Sequence, residues 1–118
     1  MGMPVATVKY DLEKVRLACL ELMGWTRNPD YAGFEKFSSD TEWLSPLGHC
    51  RLCPDPTSYV DDAIPLMKKY HISAGFTGNV PEAVSDTHCI MGTETVALAA
   101  CLCALRCAGR DLKEFELP

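Results

Sequence analysis

The sequence has no apolar run long enough to cross a bilayer. The longest, Val96 to Leu105, falls well short of the roughly 20 residues a span requires, so it reads as a core helix. Basic residues are not in excess either: 11 Lys and Arg stand against 16 Asp and Glu, a net charge of −5. The nearest approach to a basic cluster is Lys68-Lys69 with His71. Duplex binders draw affinity from counterions released by a basic stripe, so long DNA or RNA is disfavoured as a partner. Neither GxGxxG nor the GxxxxGK loop occurs among the 8 glycines, which removes the commonest phosphate-cradling loops. The start, Met1-Gly2-Met3-Pro4-Val5, lacks the basic and apolar regions of a secretory leader. Ala6 stands where myristoylation at Gly2 wants Ser or Thr. The expectation is a cytoplasmic protein with no membrane partner.

What is present fits one domain over residues 1–118. A chain of 118 residues, 47% apolar and 23% charged, can bury enough surface to offset the entropy of ordering a single core. The 7 cysteines are odd in number, and Cys101, Cys103 and Cys107 share one helical run. That arrangement suits buried free thiols in a reducing compartment better than a disulfide framework.

Hydrophobic spacing predicts a first helix over Thr7–Met23, with Val8, Leu12, Val15, Cys19 and Leu22 on one stripe and Gly24 as its stop. Trp25 to Leu44 reads as a short β-hairpin with turns at Asn28-Pro29-Asp30 and Ser38-Ser39-Asp40. An extended loop from Ser45 to Thr57 follows, marked by Pro46, Gly48, Pro54 and Pro56. A second helix is expected over Tyr59–Tyr70, capped by Ser58, Asp61 or Asp62. A cap at either aspartate would keep Pro65 in the first turn, and the alternative is a kink. Strands are expected over Ile72–Thr77 and Ala83–Met91, around a turn holding Gly78-Asn79 and Pro81. The third helix runs from Thr95 to Ala108, opened by Gly92 or Thr93 and stopped by Gly109. Its Ala97, Cys101, Ala104 and Ala108 form a small-residue face suited to close helix contact, within the chain or with a second copy. The tail from Arg110 reads as peripheral. The class is α+β.

No complete catalytic constellation emerges. Cys50-Arg51-Leu52-Cys53, beside His49, is half a zinc site by spacing, and no second CxxC completes it. Cys50 and Cys53 are therefore weak metal candidates, and free thiols are the commoner outcome. With 3 His and 7 Cys a nucleophilic pair is possible, yet nothing local singles out one thiol. One anion-binding feature stands out: Gly92-Thr93-Glu94-Thr95 lies where a strand enters the last helix. Simple N-capping is the more frequent role of Thr there, and Glu94 would repel an anion.

Three motifs carry a resemblance. Glu21-Leu22-Met23-Gly24-Trp25, then Pro56-Thr57-Ser58-Tyr59-Val60-Asp61-Asp62-Ala63, then Thr93-Glu94-Thr95-Val96-Ala97-Leu98 with its Ala/Leu/Cys continuation to Arg106 are similar, in this order, to the phage ABA-sandwich family. The likeness covers about Thr7 to Gly109. Pro65 departs from it, standing where the family carries a larger helix former. The resemblance implies an α-β-α arrangement with a small antiparallel sheet packed with helices. It also implies a phage or prophage origin. Some proteins of this kind are anti-defence sponges, which hold the cyclic ADP-ribose signal of Thoeris immunity between subunits without degrading it. Carried over, that implies ligand contacts by Thr93, Thr95, Phe76 and Arg27, with His88 and Arg106 as weaker candidates. It also implies a homo-oligomer, no cofactor and no catalysis. The alternative is an accessory protein or inhibitor that covers a host defence protein through an acidic surface.

Overall fold

The computed structural model describes residues 9–27, 43–44 and 54–117. Helix α1 is Leu12–Leu22, opened by Asp11, whose carboxylate accepts from Lys14 N at 3.3 Å. It starts later than the spacing predicts, and Thr7 and Val8 lie outside the described residues. Lys9 and Tyr10 are instead held by the other end of the chain. Tyr10 bridges Glu116, and Leu117 N donates to Lys9 O at 2.9 Å. Val15 and Cys19 of the predicted stripe are fully buried, while Leu12 is left at the rim. Gly24 stops the helix at φ 89, a left-handed position that costs a Cβ-free residue nothing.

Two short strands follow, β1 (Thr26–Arg27) and β2 (Trp43–Leu44), paired antiparallel with Thr26 opposite Leu44. The expected turns and the segment from Tyr31 to Phe37 lie outside the described residues.

Helix α2 is Val60–Tyr70, and here the sequence reading needs correction. Neither Ser58 nor an aspartate is the N-cap. Tyr59 is, without a side-chain bond, and Pro65 falls inside the helix. The entry is organised upstream by Asp55. Its carboxylate accepts from Thr57 N (3.2 Å), Thr57 Oγ1 (2.6 Å) and Ser58 Oγ (2.8 Å), while Asp62 Oδ2 accepts from Asp55 N at 2.9 Å. Asp62 thus reaches back as the third residue of a capping box does. Pro65 and Asp61 are both exposed, so the helical bond that the proline cannot make to the Asp61 carbonyl falls on the outer face of α2.

A three-stranded antiparallel sheet comes next, in the order β3 (Ser73–Thr77), β4 (Val80–Val84), β5 (Cys89–Met91). Gly78-Asn79 is a two-residue turn, with Gly78 at φ 65 supplying the positive angle that such hairpins require. Pro81 sits in the central strand without breaking it. Opposite Phe76 it occupies a pair whose main-chain groups face away from each other, and its carbonyl accepts from Gly92 N at 3.1 Å on the other side. The single strand expected over Ala83–Met91 is two. Ser85 turns the chain: its Oγ accepts from Thr87 N and His88 N, and its N donates to His88 O at 2.8 Å.

Helix α3 (Val96–Cys107) is the hub. Every residue from Ala97 to Leu105 is buried, as an apolar circumference demands. One side packs on Ala74, Ala83 and Ile90 of the sheet, the other on α1 and α2. The layers therefore run sheet, α3, then α1 with α2, a small antiparallel sheet packed with helices in an α+β fold. The small residues Ala97, Cys101 and Ala104 are buried within this chain, so only Ala108 of that face is exposed. The tail is likewise no fringe. Leu112–Phe115 forms a 3-10 turn capped by Asp111, and Phe115 is buried in the core. Among the described residues no helix is long and apolar enough to cross a membrane.

Candidate functional site

The predicted contact residues divide between the two ends of α3. At the amino end, Thr95 is the N-cap, its Oγ1 accepting from Leu98 N at 3.1 Å. Thr93 Oγ1 donates to Thr95 O at 2.7 Å. Both hydroxyls are engaged in shaping the helix start, the commoner role for threonine there. The main-chain N–H groups of Val96 and Ala97 precede the first helical bond, Ala99 N to Thr95 O; Val96 is half-buried and Ala97 is buried. Phe76 belongs to this end. It lies opposite Pro81, which is bonded to Gly92, and it is two residues beyond Ala74 and so on the helix-facing side of β3. It is 69% exposed, the most exposed large apolar side chain described.

His88 and Arg106 belong to the other end. Arg106 is exposed in the last turn of α3, and His88 closes the turn between β4 and β5. The rise from Thr95 to Arg106 is roughly 16 Å at 1.5 Å per residue. One copy of the chain therefore does not gather the predicted residues into a single pocket. Arg27 pairs with Trp43 through its backbone, and its side chain is outside the description. Cys50 and Cys53 also lie outside the described residues. Among those described, no group of three or more His, Cys, Asp or Glu is placed to hold a metal.

The carboxyl end of α3 holds a cluster that sequence reasoning passed over. Cys107 Sγ lies 3.2 Å from Ser85 Oγ and 3.8 Å from His88 Nδ1, and Thr87 Oγ1 lies 2.8 Å from the same ring nitrogen. Cys103 Sγ, one turn back, points at His88 O at 3.9 Å. Burial pushes the Cys103 thiol up to about 11, against a hydrogen bond from Ser85 that lowers it. The Cys101 thiol is raised as well, by its hydrogen bond with Cys19 and by burial. The polar triplet Ser85-Asp86-Thr87 could have signalled the turn. Nothing in the sequence could have joined it to Cys107.

Charge elsewhere is arranged for structure. Burial alone would raise the Asp55 carboxyl, but the bonds from Thr57 and Ser58 and the nearby Arg16 guanidinium outweigh it and hold the group below its ordinary value. Tyr10 is raised by burial and by Glu116, with Arg106 opposing. Two open clefts border described residues. One, about 310 Å³, has Met23, Trp25, Pro54 and Pro65 as walls with Asp61 and Asp62 at its rim. The other, about 350 Å³, lies between α1 and the 3-10 turn, lined by Lys14, Glu21, Arg110 and Glu114 among others. Neither reaches the start of α3. No family model, curated protein or solved structure matches the chain.

Proposed function

We propose that this chain is a non-catalytic phage anti-defence protein that binds and sequesters a small nucleotide immune signal of the cyclic ADP-ribose type in the host cytosol. The observation that carries the reading is an exposed Phe76 one register position from the Glu82–Met91 level of the sheet, from which the chain enters α3. An aromatic face for a base and main-chain N–H groups for a phosphate are the two elements such a ligand needs. The three motifs shared with the phage ABA-sandwich family support the same reading, as does the α+β arrangement. The donors are reassigned: the amide of the half-buried Val96 meets the phosphate, and Thr93 and Thr95 set its direction.

Gripping a charged nucleotide takes several charge-assisted hydrogen bonds, each contributing roughly 1.5–3 kcal/mol. The amino end of α3 offers no described cation and carries Glu94. His88 and Arg106 stand at the far end, so a site joining all of these residues is built between two copies, one presenting its α3 start and Phe76, the other its Arg106. The protein is accordingly a homo-oligomer. Because the small-residue face of α3 is consumed within the chain, that face is not the interface.

Titration calorimetry with cyclic ADP-ribose isomers and cyclic dinucleotides tests the proposal. Saturable heat with one of them supports it, and Phe76→Ala then weakens binding by about 1–3 kcal/mol through lost stacking. No heat at ligand concentrations well above micromolar rejects it. A second reading, cover of a basic host surface, is favoured by the two carboxylates rimming the Trp25 cleft. It predicts a specific partner in a host-lysate pull-down and no nucleotide heat.

A further inference from the structure

We propose that Cys107 is a site of reversible thiol modification, exchanging with small disulfides of the glutathione type, with His88 as its base and Ser85 as its hydrogen-bond donor. The proposal is independent of the nucleotide reading and rests on the cluster at the carboxyl end of α3.

Of the described cysteines, Cys19, Cys101 and Cys103 are buried, which leaves Cys107 and Cys89 within reach of a solvent-borne reagent. Cys89 is the more exposed, yet no described side chain hydrogen-bonds its sulfur. Cys107 is half-buried and has two partners. At rest its S–H is directed to Ser85 Oγ, the nearer group at 3.2 Å. The ring nitrogen 3.8 Å away is the only described base in contact with it. The other titratable groups facing it are the thiols of Cys103 from its own helix and Cys89 from β5, while Asp86 of the turn is exposed. The end of the helix dipole works against a thiolate here, by roughly 0.3–1 kcal/mol. An adjacent imidazolium works the other way and favours the thiolate.

The step balances without an external base. The Cys107 thiol passes its proton to Nδ1 of neutral His88. Thr87 Oγ1, already 2.8 Å from that nitrogen, can accept from the new N–H. The Ser85 hydroxyl, which rests at 3.4 Å from His88 O, turns to donate to the thiolate. The sulfur attacks one sulfur of the disulfide, the S–S bond breaks, and the leaving thiolate takes the proton from the imidazolium. Cys107–SH and RSSR give Cys107–SSR and RSH.

Site-resolved mass spectrometry of the full chain treated with oxidised glutathione tests this across pH. At pH 7 each unit of lowered thiol pKa raises the thiolate fraction nearly tenfold and costs about threefold in nucleophilicity, a net gain of roughly threefold. The expected result is a Cys107 rate at or above that of the more exposed Cys89. His88→Asn should then slow Cys107 about threefold at pH 7, with the difference closing at alkaline pH, where a base is no longer needed to form the thiolate. A purely structural role of His88 would change access equally at all pH values. Ser85→Ala supplies a second variant should His88→Asn not fold, and should also slow Cys107 but not Cys89. Equal sensitivity of both cysteines to the variants, a pH-independent ratio, or adduct on Cys89 alone overturns the proposal.

Discussion

At the scale of single residues, the described polar side chains mostly hold turns and helix starts. Thr95 satisfies the Leu98 amide, and its replacement by Ala should lower stability by about 1 kcal/mol in denaturant unfolding. Asp55 organises the entry to α2 with hydrogen bonds from Thr57 and Ser58, and its carboxyl is held below the ordinary 3.8. Since the folded value is the lower one, the carboxylate's contribution is complete above the unfolded value and is lost as pH falls through the folded one. Urea midpoints measured from pH 5 to pH 2 should therefore fall more for the native chain than for Asp55→Asn, which starts lower and changes less. An equal slope for both would contradict the role given to Asp55. The importance of Asp55 was not legible beforehand. Asp-Pro-Thr-Ser has the composition of a turn, but only the fold brings Asp62 back onto the Asp55 amide.

At the scale of elements, what reads out from sequence is what local periodicity and backbone sterics control. Val15 and Cys19 of the α1 stripe, the glycine stops at Gly24 and Gly109, and the Gly78-Asn79 turn all depend on neighbours along the chain and are where the pattern places them, whereas Leu12 of the same stripe is exposed. Gly78→Ala meets open space but must keep φ at 65, so it should destabilise the hairpin by about 1–2 kcal/mol, read as a lower thermal midpoint. Where tertiary contacts decide, the pattern misleads. Pro65 is tolerated inside α2 because the bond it cannot make falls on the outer face, and a local rule cannot see solvent. The strand over Ala83–Met91 splits at Ser85, because the Ser85 hydroxyl gathers the Thr87 and His88 amides. Phe115 lies in a polar tail, and only its placement against α1 and α3 makes it core. α3 itself was recognisable as buried all round, and its dependence on packing can be measured. Leu102→Ala, at a fully buried position, should cost about 2–5 kcal/mol by denaturant unfolding.

At the scale of the whole molecule, α3 is a shared axis, with the sheet on one side and α1 and α2 on the other, and its two ends carry different chemistry. The amino end, with Phe76 alongside, offers an aromatic face and main-chain donors. The carboxyl end gathers Cys107, His88 and Arg106. Thr93, Thr95, Phe76, His88 and Arg106 are expected on the strength of a family resemblance, Cys107 is not, and the length of the helix that separates the two ends is encoded in no motif. A second copy rejoins them in the proposal, so chromatography at working concentration should show a dimer or larger. A strict monomer would leave the amino end with too few donors for tight binding. The most direct test is a backbone amide NMR titration with the nucleotide that gives heat. Shifts concentrated at Val96 and the Phe76 region are the predicted result. Shifts confined to the cleft by Trp25, or none at the start of α3, would contradict it.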